Sequence, residues 1–294
     1  MITPVWFITG ASNGLGLVLA LRALQAGHRV IGSMRNKEKH AHAVKQIEDA
    51  GGEVVELDMT ESQGSIHEKI EAIGQIDFLV NNAGYSIWCT LEQMSDKEVN
   101  ALFSANTFGP VYVMQAALEN MRLRRSGLII NVSSNNARDP FPAGAMYAAS
   151  KAALEAASEG LQKEVESFGI KILIVQLGSF RTNFMRGIQR STNPIAEDYK
   201  NTYTDILINR FEDYHGRQPG DPEKAAERMF EIATGEGMAG ELKDKVLRLA
   251  LGGDGHQRMK QNTEKFVHDM TIGEKVAYST DYSSASDEEI SEVH

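Results

Sequence analysis

The chain of 294 residues is 42% hydrophobic and 24% charged, carries 26 glycines and has a formal net charge of −10. That composition suits a globular α/β protein, and so acidic a balance argues against nucleic-acid binding, which needs a basic face. With one cysteine, Cys89, no intrachain disulfide can form, no Cys–His metal spacing is present, and no metal site is expected. No apolar run reaches the ~18 residues of a membrane helix. The start, "MITPVWFITGASNG", lacks the basic segment of a signal peptide, so the expected location is cytoplasmic.

In chain order, short apolar runs alternate with longer helical patterns. "VWFIT" (5–9) precedes "LGLVLALRALQAG"; "RVIGSM" (29–34) precedes "KEKHAHAVKQIEDAG"; "EVVELD" (53–58) precedes "SQGSIHEKIEAIG". "IDFLVNNAG" (76–84) follows, then a helical stretch from about Val111 to Arg125. "GLIINVSS" (127–134), a helix containing Tyr147 and Lys151, and "IKILIVQLG" (170–178) complete the series. Runs rich in Val, Ile and Leu without polar alternation read as strands buried on both faces. Strands alternating with helices predict a single-domain, Rossmann-type, doubly wound parallel sheet with helices on both faces. After Gly178 the chain turns polar and aromatic (179–220), which reads as a C-terminal substrate-binding cap. "DPEKAAERMFEIATG" then predicts a helix with Asp221 as N-cap and Pro222 in its first turn. "KVLRLALG" offers one more strand, and the acidic end "STDYSSASDEEISEVH" reads as a frayed tail. The expected boundaries are 1–255 for the main domain and 256–294 for a C-terminal helix and tail.

"TGASNGLG" (9–16) falls between the first strand and the first helix, where a phosphate loop belongs. Gly10 permits a tight turn, Gly14 lets backbone approach a pyrophosphate, and Gly16 permits close helix–strand packing. The helix that opens at Leu15 offers its N–H groups and positive dipole end. After the second strand the usual ribose-binding carboxylate is replaced by Met34, followed by Arg35. A guanidinium there suits a 2′-phosphate, and Ser12 can add a hydrogen bond, so NADP(H) is expected over NAD(H).

"TGASNGLG", "NNAG" (81–84), "INVSS" (130–134) and "YAASK" (147–151) occur in this order. Together they resemble the short-chain dehydrogenase/reductase family over about residues 4–182. The long cap, with "VLRLALGGD" near its end, looks most similar to the 17β-hydroxysteroid-dehydrogenase-like branch. The resemblance implies a catalytic set of Asn106, Ser134, Tyr147 and Lys151, with Ser134 thirteen residues before Tyr147. Tyr147 would be the general acid that protonates a ketone oxygen. Lys151, one turn away, would lower the phenol pKa and hold the nicotinamide ribose. Ser134 would donate to the substrate oxygen, and Asn106 would hold a water that relays protons to Lys151. The resemblance also places Asn82, Ala83 and Gly84 beside the ribose, Asp58 at the adenine, and Gly178 and Thr182 at the nicotinamide. Asn81 and Ser133 are expected to be structural. The family's usual Pro–Gly pair reads Leu177–Gly178 here, which loosens that turn.

The implied activity is NADPH-dependent reduction of a ketone, or its reverse, on a lipophilic small molecule. The cap residues Ile206, Leu207 and Phe211 fit one apolar helix face, and a homodimer or homotetramer is implied by the same resemblance. An epimerase or dehydratase of the same fold, and a non-catalytic NADP(H)-binding redox sensor, are the competing readings.

Overall fold

A computed structural model describes residues 3–282. In chain order its main elements begin with β1 (Val5–Ile8), α1 (Gly14–Gln25), β2 (Arg29–Met34), α2 (Ala41–Asp49), β3 (Glu53–Glu56) and α3 (Gln63–Glu71). They continue with β4 (Phe78–Asn81), β5 (Ile87–Trp88), α4 (Asp96–Phe103), α5 (Gly109–Arg124), β6 (Gly127–Ser134), α6 (Ala145–Val165) and β7 (Ile170–Leu177). The last third holds β8 (Gln189–Arg190), α7 (Tyr203–Arg210), α8 (Pro222–Thr234), α9 (Gly237–Gly240), β9 (Arg248–Leu251) and α10 (Gly253–Tyr278).

Seven strands form one sheet in the order β3-β2-β1-β4-β6-β7-β9, each pair parallel. The chain winds outward from β1, crosses back to β4 and winds outward the other way. The crevice at the carboxyl ends of β1 and β4 is therefore a topological switch point, where ligands bind in such sheets.

Successive strand residues face opposite sides, and β1 divides accordingly. Trp6 and Ile8 join a core with α1, α2 and α8, while Val5 and Phe7 join another with α3, α5 and α6. Trp6, Phe7 and Ile8 are fully buried; each such side chain contributes about 1.5–3 kcal/mol of transfer free energy. Truncating Phe7 to Ala would cost roughly 3–5 kcal/mol. This sheet fixes where the strand ends stand, and so fixes the site above them.

The strands expected at 29–34 and 127–134 form over those residues, and α8 starts as its cap signals imply. The Asp221 side chain accepts hydrogen bonds from the backbone N–H groups of Glu223 and Lys224, with Pro222 at the first helical position. Two features had no sequence expectation. Ser104–Phe108 forms a π-turn between α4 and α5. β5 and β8 pair as a two-residue parallel ladder outside the main sheet. The helix expected in the C-terminal segment forms as α10, which runs for 26 residues with most of its length exposed. The far part of the acidic tail, residues 283–294, lies outside the described residues. No helix among the described residues is long and apolar enough to cross a membrane.

Candidate active site

A cavity of about 860 Å³ opens over the carboxyl ends of the strands, and the residues expected to bind or react line much of it. Its floor is the turn from β1 to α1. Gly10 and Gly14 have φ of +69° and +55°, a region that side chains disfavour. A Cβ on Gly16 would lie 2.5 Å from Asn82 Nδ2 and 2.6 Å from the Gly10 carbonyl oxygen, so α1 packs against the loop only with glycine there. Asn13 at the N-cap makes no side-chain capping bond, and no acidic residue occupies the first turn. The leading N–H groups and the positive helix end are therefore open to an anion. Leu15 stands in the same wall with its side chain in the core.

Asn82, Ala83 and Gly84 line the opposite side of this floor. The Asn82 Nδ2 donates to the carbonyls of Thr9 (2.9 Å) and Gly10 (3.2 Å). Its role is to brace the glycine loop. Thr9, buried, does the same from the other strand, its hydroxyl accepting from the N–H groups of Asn82 and Ala83 at 3.0 Å each. Asn81 donates to Asn131 at 2.8 Å, tying β4 to β6 as a structural residue should.

At the far end of the floor, Ser12, Arg35, Lys39 and His40 gather in the cavity wall. Arg35 is exposed. Burial lowers the His40 pKa, and the charges of Lys39 and Arg35 lower it further. Lys39 and His40 were missed in the sequence, although the basic run "RNKEKHAH" directly after β2 contains both. Asp58 is also in the wall; its Oδ1 accepts from Thr60 N and Oγ1 at 2.9 and 2.8 Å. The glycine turn, the open helix end and this cationic cluster fit a dinucleotide with an additional phosphate.

Tyr147, Lys151 and Ser134 meet at the centre of the cavity. All three are buried, at 7%, 4% and 8% exposure. The spacing of four on α6 puts Tyr147 and Lys151 on one face, and small alanines between them let the helix lie close to β6. The Lys151 ammonium donates to the Val132 carbonyl at 2.9 Å. Burial pushes the Lys151 pKa down to about 8, opposed by the charge of Glu155. Burial likewise pushes the Tyr147 phenol up to about 12, with the neighbouring Ser134 hydroxyl opposing. This corrects the expectation of a lowered phenol pKa: in the protein alone burial raises it, and Lys151 is not among the groups acting on it. Ser134 Oγ accepts from Asn136 N at 3.2 Å. Ser133 donates to Glu155 at 2.6 Å and is structural.

Asn106 is fully buried in the π-turn. Its Oδ1 accepts from Tyr85 N (3.1 Å), and its Nδ2 donates to Tyr85 O (2.9 Å) and Ser150 Oγ (3.1 Å). Both side-chain groups are thus committed to holding the segment after β4 against α6. A Cβ on Gly84 would stand 3.0 Å from Asn106 Oδ1 and 3.2 Å from Lys151 Nζ, so Gly84 marks where the three come together.

Gly178 and Thr182 close the remaining side. A Cβ on Gly178 would stand 2.4 Å from Asp254 Oδ1 and 2.8 Å from Gly255 N, and Asp254 Oδ2 accepts from Ser179 N at 2.9 Å. The start of α10 therefore braces this turn from behind, where the family's proline is absent. Thr182 packs against Gly14, 3.2 Å from where a Cβ would be, and its hydroxyl accepts from Phe184 N at 3.2 Å.

Trp88, Phe141, Phe184, Ile206, Leu207 and Phe211 give the outer cavity an apolar wall. The Phe184 ring lies 5.8 Å from that of Tyr147, and Trp88 lies 5.1 Å from Phe211. Glu98 on α4 tethers the cap, accepting from Thr192 N (2.8 Å) and Ser191 Oγ (3.0 Å) as well as from Ser95. Those hydrogen bonds outweigh its desolvation and hold the Glu98 carboxyl down at about 2.

A doubly wound sheet with a phosphate cradle at its switch point and a buried Tyr–Lys pair beside it defines a nucleotide-dependent α/β enzyme. The profile of the short chain dehydrogenase family matches residues 4–193. The chain is 38% identical over 209 residues to the oxidoreductase claN of Passalora fulva, covering 70% of this chain and 94% of that one. It is 36% identical over 226 residues to a 3-ketodihydrosphingosine reductase of Bacteroides thetaiotaomicron, covering 74% of this chain and 80% of that one. The crystal structure of a short-chain dehydrogenase from Streptomyces avermitilis superimposes with a TM-score of 0.81 at 34% identity, covering 96% of this chain and all of that one. A metagenomic short-chain oxidoreductase in complex with NADP is 25% identical, with a TM-score of 0.63 over 84% of this chain and 96% of that one. The protein belongs to the short-chain dehydrogenase family.

Proposed function

We propose that the protein is an NADP(H)-dependent carbonyl reductase that converts a lipophilic ketone to a secondary alcohol, with Tyr147 as the general acid. The observation that carries this reading is the buried group Ser134, Tyr147 and Lys151 at the centre of a cavity with a phosphate cradle at one end and an apolar wall at the other. When bound, the nicotinamide supplies the hydride. The chain's residues do the rest. The N–H groups opening α1 hold the pyrophosphate, and Arg35, Lys39 and Ser12 bind the extra phosphate. Ala83, Gly84, Asp58, Gly178 and Thr182 shape the walls along the nucleotide.

Tyr147 transfers its hydroxyl proton to the substrate oxygen as charge develops there. A phenol pushed up to about 12 stays protonated at neutral pH, as the proton donor of ketone reduction must be. Ser134 donates a hydrogen bond to the same oxygen. Lys151 places its positive charge beside the incipient phenolate. Asn106 holds the Tyr85 segment and α6 in place through both ends of its side-chain amide.

A lipophilic substrate is supported by the aromatic wall of the cap (179–220) and by the relative named as a 3-ketodihydrosphingosine reductase. The structure of a relative with NADP supports the cofactor choice. The length of the cap supports the 17β-hydroxysteroid-dehydrogenase-like branch. Phe108 and Leu123, large apolar side chains left exposed along the π-turn and α5, support pairing of subunits through that helix. We assign residues 1–255 to the dinucleotide and substrate domain and 256–294 to an appended helix and tail.

The test is NADPH oxidation against ketones, aldehydes and quinones of increasing apolar size. Turnover of a bulky apolar ketone with NADPH supports the reading. Tight NADPH binding without turnover of any carbonyl overturns it.

A further inference from the structure

Helix α6 carries a third polar residue on the face of Tyr147 and Lys151. Glu155 lies four residues beyond Lys151, one further turn along the same stripe. It is 1% exposed, and a carboxylate at that depth persists only with partners. Its Oε1 accepts from Ser133 Oγ at 2.6 Å and Gln176 Nε2 at 2.9 Å; Oε2 accepts from Gln176 Nε2 at 3.0 Å and Arg138 Nε at 3.1 Å. Arg248 on β9 approaches to 3.9 Å. Glu159, one turn on, is bound by both Arg138 and Arg248.

These bonds are not required to join the strands. β6 and β7 already share a continuous register from Gly127 opposite Ile170 to Ser134 opposite Leu177. A well-packed apolar residue at 155 would cost less than a buried charge. The partners themselves point to another role. Ser133 adjoins Ser134, and Gln176 adjoins the Leu177–Gly178 turn. Lys151 grips the carbonyl of Val132, the residue before Ser133. Two side chains one turn apart on α6 thus latch onto two consecutive residues just ahead of Ser134.

We propose that Glu155 is a positioning residue of the active site, latching β6 to α6 next to Ser134 and supplying the counter-charge that keeps Lys151 an ammonium. The neighbours of Lys151 on the other elements are uncharged: Val132 on β6, Asn106 in the π-turn and Gly84 after β4, with Tyr147 on its own helix. Among the described residues Glu155 is the charge that acts on it, raising its pKa against the lowering by burial. Arg138, Arg248 and Glu159 act in turn on Glu155. The inference rests on the reading of Lys151 as the cation beside the cofactor.

The test is Glu155→Gln, which keeps the size and an acceptor for Ser133 and removes the charge. NADPH affinity is measured from pH 6 to 10 by quenching of protein fluorescence, together with kcat for the best ketone. At pH 6, both constants stay within about threefold of the parent. The alkaline loss of NADPH affinity begins about one pH unit lower, making binding at pH 8 about fivefold weaker. Arg138→Gln, at a half-exposed position, removes a cation from the same network and moves the loss to higher pH. Equal weakening at every pH in Glu155→Gln means packing alone and overturns the proposal, as do unchanged profiles or shifts of both variants in the same direction. Should Glu155→Gln fail to fold, Arg138→Gln decides: an upward shift supports the proposal and none overturns it. Absence of ketone turnover in the parent protein would sink the reductase reading but leave the NADPH profiles to decide on Glu155.

Discussion

On its nucleotide side, the cavity wall is backbone. Gly10, Gly14 and Gly16 bring main chain to the surface; behind them the Asn82 amide donates to loop carbonyls, and the Thr9 hydroxyl accepts from the N–H groups of Asn82 and Ala83. On the cap side, the wall is side chains: Phe184, Ile206, Leu207 and Phe211 project from short elements held by a two-residue ladder, the Glu98 carboxylate and the bonds of Gln93 to Ser191 and Asn193. The first wall is determined by what cannot fit and tolerates almost no change. The second is an apolar surface on a tether, which can be altered in shape without unfolding the sheet. The catalytic group sits between them, on β6 and α6, which belong to the rigid half. A fold built this way holds the cofactor and the acid constant while the substrate is chosen elsewhere.

Substitutions can break this contrast, beginning with the largest effect. Gly16→Val puts a branched side chain where a Cβ already meets Asn82 and Gly10. NADPH binding, followed by calorimetry, should fall at least a hundredfold; retained affinity would mean the loop can shift and is not rigid.

Lys151→Met should lower kcat about a hundredfold or more, since it removes the cation beside the acid. It should also stabilise the fold at neutral pH. Burial lowers the Lys151 pKa from its ordinary 10.5 to about 8, so between those values the unfolded chain binds more protons and stability rises with pH. The buried charge is therefore most costly below pH 8. The gain in Tm from Lys151→Met should be a few degrees at pH 7, as expected for about 1–2 kcal/mol, and should shrink by pH 10. For the same reason, ketone reduction by the parent protein should decline as pH rises through about 8.

Arg35→Ala should raise the KM for NADPH about tenfold, in line with the loss of one charge-assisted hydrogen bond, and leave that for NADH within twofold. Equal effects would remove the 2′-phosphate from the account. The smallest change is expected from Glu98→Gln, which weakens the tether to Ser191 and Thr192: the KM for the ketone should rise a few-fold with NADPH affinity unchanged. Because its carboxyl is held down at about 2, this tether is present above the ordinary carboxylate range and is lost only as pH falls toward 2. A matching loss of NADPH affinity in Glu98→Gln would show that the two walls are mechanically coupled.

The rigid half was the legible half. A steric requirement leaves a mark in sequence, so the glycine turn and the buried strands at 29–34 and 127–134 could be read directly, whereas Ser134, Tyr147 and Lys151 were found through the resemblance to the family. The Asp221–Pro222 start of α8 was equally local. What was not legible depends on distance along the chain or on depth. Glu98 meets Thr192 across 94 residues, and β5 pairs with β8 over only two residues, too short for any periodicity. The Asn82 Nδ2 bonds to the Thr9 and Gly10 carbonyls could not be read either, because their partners lie more than 70 residues away. The Tyr147 phenol was expected to be acidified by its lysine. Its rise instead reflects burial beneath Phe184 and the cap, which no motif reports.

The central claim is that this cavity joins an NADP(H) site to a buried tyrosine acid. Its most direct test is NADPH and NADH oxidation with the best ketone, for the parent protein and Tyr147→Phe in parallel. The account predicts NADPH-dependent turnover that falls about a thousandfold in Tyr147→Phe while NADPH affinity stays within twofold. Turnover unchanged by the loss of the hydroxyl, or supported equally by NADH, would contradict it.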